Sequence, residues 1–194
     1  MRQLGGSEQL LDEWKLLVSN LKAAPVDRKL HSINQFFNRK LHFTEDAENW
    51  GQSDYWATPL QSLARGKADC EDFVIAKYFS LRSAGLSDQQ LRLVYVRAKL
   101  GGERSAISQA HMVLAFYASS DAEPLILDNL ITDIRPASRR PDLSPVFSFN
   151  AQGVFAGTNA NTQPGPGGTS RLSRWQELLD RVQQEGFEVN SEAR

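Results

Sequence analysis

The sequence predicts an α+β domain with its helices first and its sheet after them, and three observations carry that prediction. Apolar residues recur at three- and four-residue steps in the first 84 residues. Short runs rich in β-branched and aromatic residues, separated by turn-like segments, then occupy residues 91–157. Helical spacing returns near residues 171–185. Helices followed by a run of neighbouring strands is the pattern of an α+β domain rather than of a parallel βαβ fold.

Each element has its own warrant. Residues 7–22 place Leu10, Leu11, Trp14, Leu17, Val18 and Leu21 on one stripe, which predicts the first helix. Asp27 is a cap for a second helix carrying Leu30, Ile33, Phe37 and Leu41. Residues 44–57, "TEDAENWGQSDYWA", have no helical period and read as an ordered loop. Thr58 followed by Pro59 is a cap and first-turn pair for a short helix through Leu63. A further helix is expected from Cys70 to just before Gly85, a glycine stop. "LRLVYVRAKL" (91–100), "AHMVLAFYA" (110–118) and "EPLILDNLI" (123–131) read as neighbouring antiparallel strands, and residues 147–157 as another strand or hairpin. Residues 158–170, "TNANTQPGPGGTS", read as a flexible loop before a last helix at 171–185.

At 194 residues the chain is long enough for one domain, 1–194, with a real core. Its hydrophobic share of 41% and charged share of 23% describe a soluble globular balance. A formal net charge of −1 gives no global positive field for nucleic acid or an anionic membrane. Arg135, Arg139 and Arg140 lie among Pro136, Ser138 and Pro141 and read as a solvated loop. The single cysteine excludes an internal disulfide and leaves the compartment open. No apolar run reaches membrane-spanning length, so no direct membrane insertion is expected, and the opening "MRQLGGSEQLLDEW" lacks the apolar core of a signal peptide.

The chemistry centres on "DCED", residues 69–72. Cys70 at a helix start sits where unsatisfied N–H groups and the dipole favour a thiolate, although flanking carboxylates oppose it. A nucleophilic thiol needs an imidazole held by a third polar group. Of three histidines, only His111 opens an apolar strand, and Asp128 interrupts the next one. A Cys70–His111–Asp128 triad is therefore one reading. Small core filler for the cysteine, a structural histidine and a turn aspartate are the others. Acids in a first helical turn also suit the dipole without any ligand.

The segments "SDYWATPLQSLARGKADCEDFVIAKYFSLRSAG", "HMVLAFY" and "LILDNL" resemble the bacterial transglutaminase-like cysteine proteases of the LapG type. The resemblance implies a papain/transglutaminase-like core, the cysteine helix packed on an antiparallel β-sheet. It implies Cys70 as nucleophile, His111 as general base and acid, and Asp128 as its orienter. It further implies a Ca²⁺-dependent endopeptidase, with Asp69 and Glu71 as calcium ligands and Asp72 a weaker candidate. Glu45, Asp46 and Glu48 in the acidic loop are further sources of ligands, and no pattern chooses among them. Such enzymes cut the N-terminal region of a large biofilm adhesin near a pair of alanines and release it from the cell surface. They are held in check by the periplasmic domain of an inner-membrane cyclic-di-GMP receptor. The expected location is the periplasm, the natural signal peptide being absent from this sequence. The same triad also serves a transglutaminase or amidase, and a non-catalytic peptide-binding module is the remaining alternative. Trp50 and Trp56 are candidate oxyanion donors, with core packing the competing role.

Overall fold

The computed structural model describes residues 8–158, 165 and 172–189. Helix α1 (Glu8–Leu21) buries Leu11, Trp14, Val18 and Leu21, the predicted stripe. Helix α2 (Val26–Lys40) starts from Pro25 rather than from Asp27. Proline has its φ preset for a helix entry, so Asp27 falls inside the first turn, where its charge meets the dipole instead of capping. A short strand β1 (His42–Phe43) follows, and the segment read as loop contains one helical turn, α3 (Asp46–Asn49). Helix α4 (Pro59–Arg65) has a full capping box, Thr58 accepting from the Gln61 N–H and Gln61 accepting from the Thr58 N–H. Gly66, at φ 66°, ends it in the left-handed conformation that favours glycine.

Strand β2 (Lys67–Ala68) pairs in parallel with β1 and leads directly into helix α5 (Cys70–Ser83). Every residue of α5 from Asp72 to Leu81 is buried. The helix is packed between α2 and the sheet strands, which is why its sequence shows little amphipathic contrast.

The sheet comprises β3 (Leu91–Lys99), β4 (Ser108–Phe116), β5 (Leu125–Leu127), β6 (Arg135–Pro136), β7 (Leu143–Asn150) and β8 (Gly153–Ala156). Its order is β6-β5-β4-β3-β7-β8 and every pairing is antiparallel. Strands β3 to β6 form the expected meander, whereas the β7–β8 hairpin adds to the other side of β3 and makes it a central strand. The expected strand at 123–131 is only Leu125–Leu127. Asp128 lies just beyond the ladder, its side chain bound by His111 of β4, by Arg140 and by the Leu130 N–H of its own loop.

Helix α6 (Ser173–Gln184) lies within the expected 171–185 and buries Trp175, Leu178, Leu179 and Val182. Trp175 packs edge-on to Phe149, Tyr78 and Trp56 and stacks with Phe79, joining the C-terminal helix to α5 and the sheet. The expected flexible loop at 158–170 falls almost wholly outside the described residues.

Candidate active site

Two short ladders and one helix start create the site. Because β1 and β2 run in parallel, with His42 opposite Lys67, Phe43 opposite Ala68 and the Thr44 N–H donating to Ala68 O at 2.9 Å, the residues after each strand emerge side by side. Those residues include Asp46 on one side and Asp69 and Cys70 on the other. Asp69 caps α5, its carboxylate accepting the Asp72 N–H at 3.2 Å. Cys70 is therefore the first helical residue, half-buried, and lies in a cleft of about 450 Å³ that His111, Asp46 and Asp69 also line.

The sulfur sits against β4. The main chain of Met112 faces the sulfur, and the thiol donates to Glu71 Oε2 at 2.7 Å. Burial, then the carboxylates of Glu71 and Asp69, push the thiol well above its ordinary pKa, and the Met112 main chain only partly opposes them. This reverses the expectation drawn from the helix dipole alone. The dipole acts on a group in water, but here desolvation and adjacent negative charge are larger.

His111 and Asp128 meet as the sequence suggested, Nε2 to Oδ1 at 2.8 Å and almost wholly buried. Burial opposes ionisation of Asp128, but hydrogen bonds from His111, the Leu130 N–H and Arg140 outweigh it and hold the carboxyl at a pKa of about 2. An ionised carboxylate only accepts, so Nε2 carries a proton, and in the neutral ring the lone pair is therefore on Nδ1. Arg140 is the partner that sequence reasoning missed. Far from being solvated, it is 2% exposed and donates from Nη2 to Asp128 Oδ2 at 2.7 Å and to Asp142 Oδ2 at 2.8 Å. Nothing distinguished it from Arg135 and Arg139 in one basic, proline-bounded run, although Asp142, two residues on, was a visible partner. Asn38 on α2 donates to the Asp128 carbonyl at 2.7 Å, and Asn34 to Thr132 O at 2.8 Å, so α2 anchors the loop that carries Asp128.

Behind the sulfur, Asp46, Asp69 and Asp72 bring carboxylate oxygens within 4.8 Å of one another, all buried. Asp46 Oδ2 accepts the Tyr55 N–H and Asp72 Oδ1 the Ala57 N–H at 2.7 Å, while Asp46 Oδ1 and Asp72 Oδ2 are buried without a hydrogen-bond partner. Burial and then Asp72 and Glu71 push Asp69 up to about 9, and burial also raises Asp72 and Asp46. Three crowded carboxyls, two of them with orphaned oxygens, and no lysine or arginine in the cleft lining among the described residues fit a hard divalent cation. Of the acids expected as ligands, the structure gathers Asp69 and Asp72 with Asp46 from the acidic loop, and it lays Glu71 on the sulfur. Trp56 is 4% exposed within the aromatic core and Trp50 lies under the Arg65 guanidinium at 4.0 Å, and the indole N–H of each is buried without a hydrogen-bond partner.

Residues 18–141 match the family model for the bacterial transglutaminase-like cysteine proteinases. The chain belongs to that family. Among solved structures, Legionella pneumophila LapG is 39% identical with a TM-score of 0.75, over 90% of this chain and 88% of that one. The same protein in calcium-bound form gives 37% identity and a TM-score of 0.78, over 92% of each chain. Its EGTA-treated form gives 39% identity and a TM-score of 0.76, over 90% and 88%. No curated protein matches the sequence. For a transglutaminase-like cysteine proteinase the fold has the required parts: a cysteine at a helix start, packed on an antiparallel sheet that carries a histidine.

Proposed function

We propose that this proteinase is a calcium-dependent cysteine endopeptidase of the periplasm. It would cut the N-terminal region of a large biofilm adhesin near a di-alanine site and release it from the cell surface. The observation that carries the chemistry is the shared cleft lined by Cys70 and by His111 of the buried His111–Asp128 pair. Nδ1 of His111 takes the thiol proton, and the sulfur attacks the scissile carbonyl carbon. The Cys70 N–H, first in its helix and without an intrahelical acceptor, faces the developing oxyanion. The C–N bond breaks as His111 returns the proton to the leaving amine. Water, deprotonated by the same nitrogen, then hydrolyses the thioester. Asp128 keeps the ring in the tautomer that leaves Nδ1 basic, and Arg140 holds Asp128.

Asp46, Asp69 and Asp72 would hold the calcium ion, with Glu71 the remaining ligand candidate. The bound ion would supply positive charge that neutralises the buried carboxyls and fixes the start of α5. The calcium-bound and EGTA-treated states of Legionella LapG support this reading. Control by sequestration follows the same analogy, with the periplasmic domain of a cyclic-di-GMP receptor as partner.

The test is cleavage of adhesin N-terminal fragments with and without calcium, by the wild type and by Cys70→Ala. Loss of cleavage in the variant and under EGTA is expected. Unchanged cleavage by Cys70→Ala refutes the nucleophile. Products carrying an added amine would instead identify an acyl transferase.

A further inference from the structure

The pairing of β4 leaves one part of the sheet open beside the nucleophile. Strand β3 pairs with β4 along its whole length, from Ser108 opposite Lys99 to Phe116 opposite Leu91. On the other edge β5 pairs only with Leu114, Ala115 and Phe116. Residues 108–113 therefore have no strand on that side among the described residues. At the two ends of this ladder the Tyr117 N–H donates to Gln90 O at 2.8 Å and the Leu100 N–H to Ile107 O at 3.0 Å, so the odd-numbered residues of β4 turn their main-chain groups to β3 and Met112 turns its own to the open edge. In an antiparallel strand alternate residues direct both N–H and C=O to the same edge. Ala110 and Ser108 consequently present their main-chain groups there, in line with the sulfur. Both are exposed, and Gln109 and Ala110 line one wall of the cleft. Phe43 and Leu130, respectively 53% and 48% exposed, also line it, so apolar side chains are held out toward whatever lies along that edge.

We propose that the substrate enters as an added strand on the open edge of β4, hydrogen-bonding to Ala110 and Ser108, so that its scissile carbonyl stops at Cys70. The inference rests on the proteolytic reading above and names how that site takes its substrate. The recognised class is an extended segment with no secondary structure of its own. Its main chain supplies the register, and its side chains are read only at alternate positions, by Phe43 and Leu130. The edge ends at Met112, where the sulfur sits, so the paired stretch lies to one side of the scissile bond. A proline or a committed helix in that stretch is incompatible with cleavage.

Synthetic peptides spanning the adhesin's di-alanine segment, N-methylated at one residue at a time, test this on the wild-type protein with calcium. Strand pairing predicts a period of two. Methylation at alternate residues on one side of the scissile bond should lower kcat/KM about tenfold, and methylation of the residues between should leave it near the parent value. A flat scan, or equal losses at consecutive residues, overturns strand entry while leaving proteolysis standing. Failure to cut the unmethylated peptide overturns both. As a second arm, Ala110→Pro removes the N–H at 110 but leaves β3 pairing intact, because that N–H points away from β3. It should raise KM more than it lowers kcat, in a protein whose melting temperature is close to wild type. A folded Ala110→Pro protein with unchanged KM also overturns the proposal.

Discussion

The side chain that most changes the reading of this site is Arg140, because it decides how firmly Asp128 is held. Its guanidinium bridges Asp128 and Asp142, both within hydrogen-bond distance, in surroundings nearly closed to water. Removing one partner of a buried pair strands the others, so Arg140→Met should cost about 3–5 kcal/mol in urea unfolding. It should also lower kcat, because Asp128 loses one of its donors. Lys77 is the opposite case. It is fully buried on α5, its Nζ has no hydrogen-bond partner, and it lies 5.7 Å from the Phe73 ring centre. Burial lowers it to about 7 against an ordinary 10.5, with Asp128 only partly resisting. Between those values the unfolded chain binds the extra proton, so stability should rise with pH across that window and fall as pH drops through it. Lys77→Met should therefore be more stable than wild type by about 1–3 kcal/mol at neutral pH and below. The gain should shrink toward pH 10, which thermal melts at several pH values would show. At this scale the sequence indicated Cys70, His111 and Asp128 by residue type and order. Arg140 and Lys77 were illegible because the elements that bury a charged side chain are brought over it from distant parts of the chain.

At the level of elements, the acidic group exists because two parallel two-residue strands bring the start of α5 beside α3. Strands this short carry no periodic signal, so the sequence pointed to several acids near residue 46 without choosing one. Asp46→Asn should consequently weaken calcium binding at least as much as Asp69→Asn, by about tenfold or more, measured by titration calorimetry. Glu71→Gln should cost less affinity, because that carboxylate is on the sulfur in this geometry. Helix α5 was legible from its glycine stop, as was α4 from its Thr-Pro start. The entry of α2 was misjudged because proline at 25 outcompetes an aspartate two residues later.

Across the whole molecule, the C-terminal helix reaches back to the site. Arg181 donates to the Trp56 carbonyl at 2.6 Å and to the Tyr55 hydroxyl at 2.8 Å. The neighbouring N–H groups of Tyr55 and Ala57 in turn bond Asp46 and Asp72. Arg181→Met should therefore raise the calcium Kd several-fold (about 1 kcal/mol), with the melting temperature in EGTA changed far less than in calcium. The α+β class and the order of helices and strands were readable from periodicity. That β7 and β8 join β3 rather than extend the meander was not, since pairing partners of an isolated strand are chosen by long-range packing. The placement of β7, β8 and α6 has a consequence for a newly made chain. All three residues of the proposed triad have been synthesised by residue 128, yet the central strand lacks its second neighbour until β7, and the aromatic core lacks Trp175 until α6. A chain emerging from its N-terminus thus carries every reacting group before the scaffold that orients them is complete. A truncation anywhere after Asp128 and before α6 should therefore yield an inert polypeptide rather than an unregulated protease.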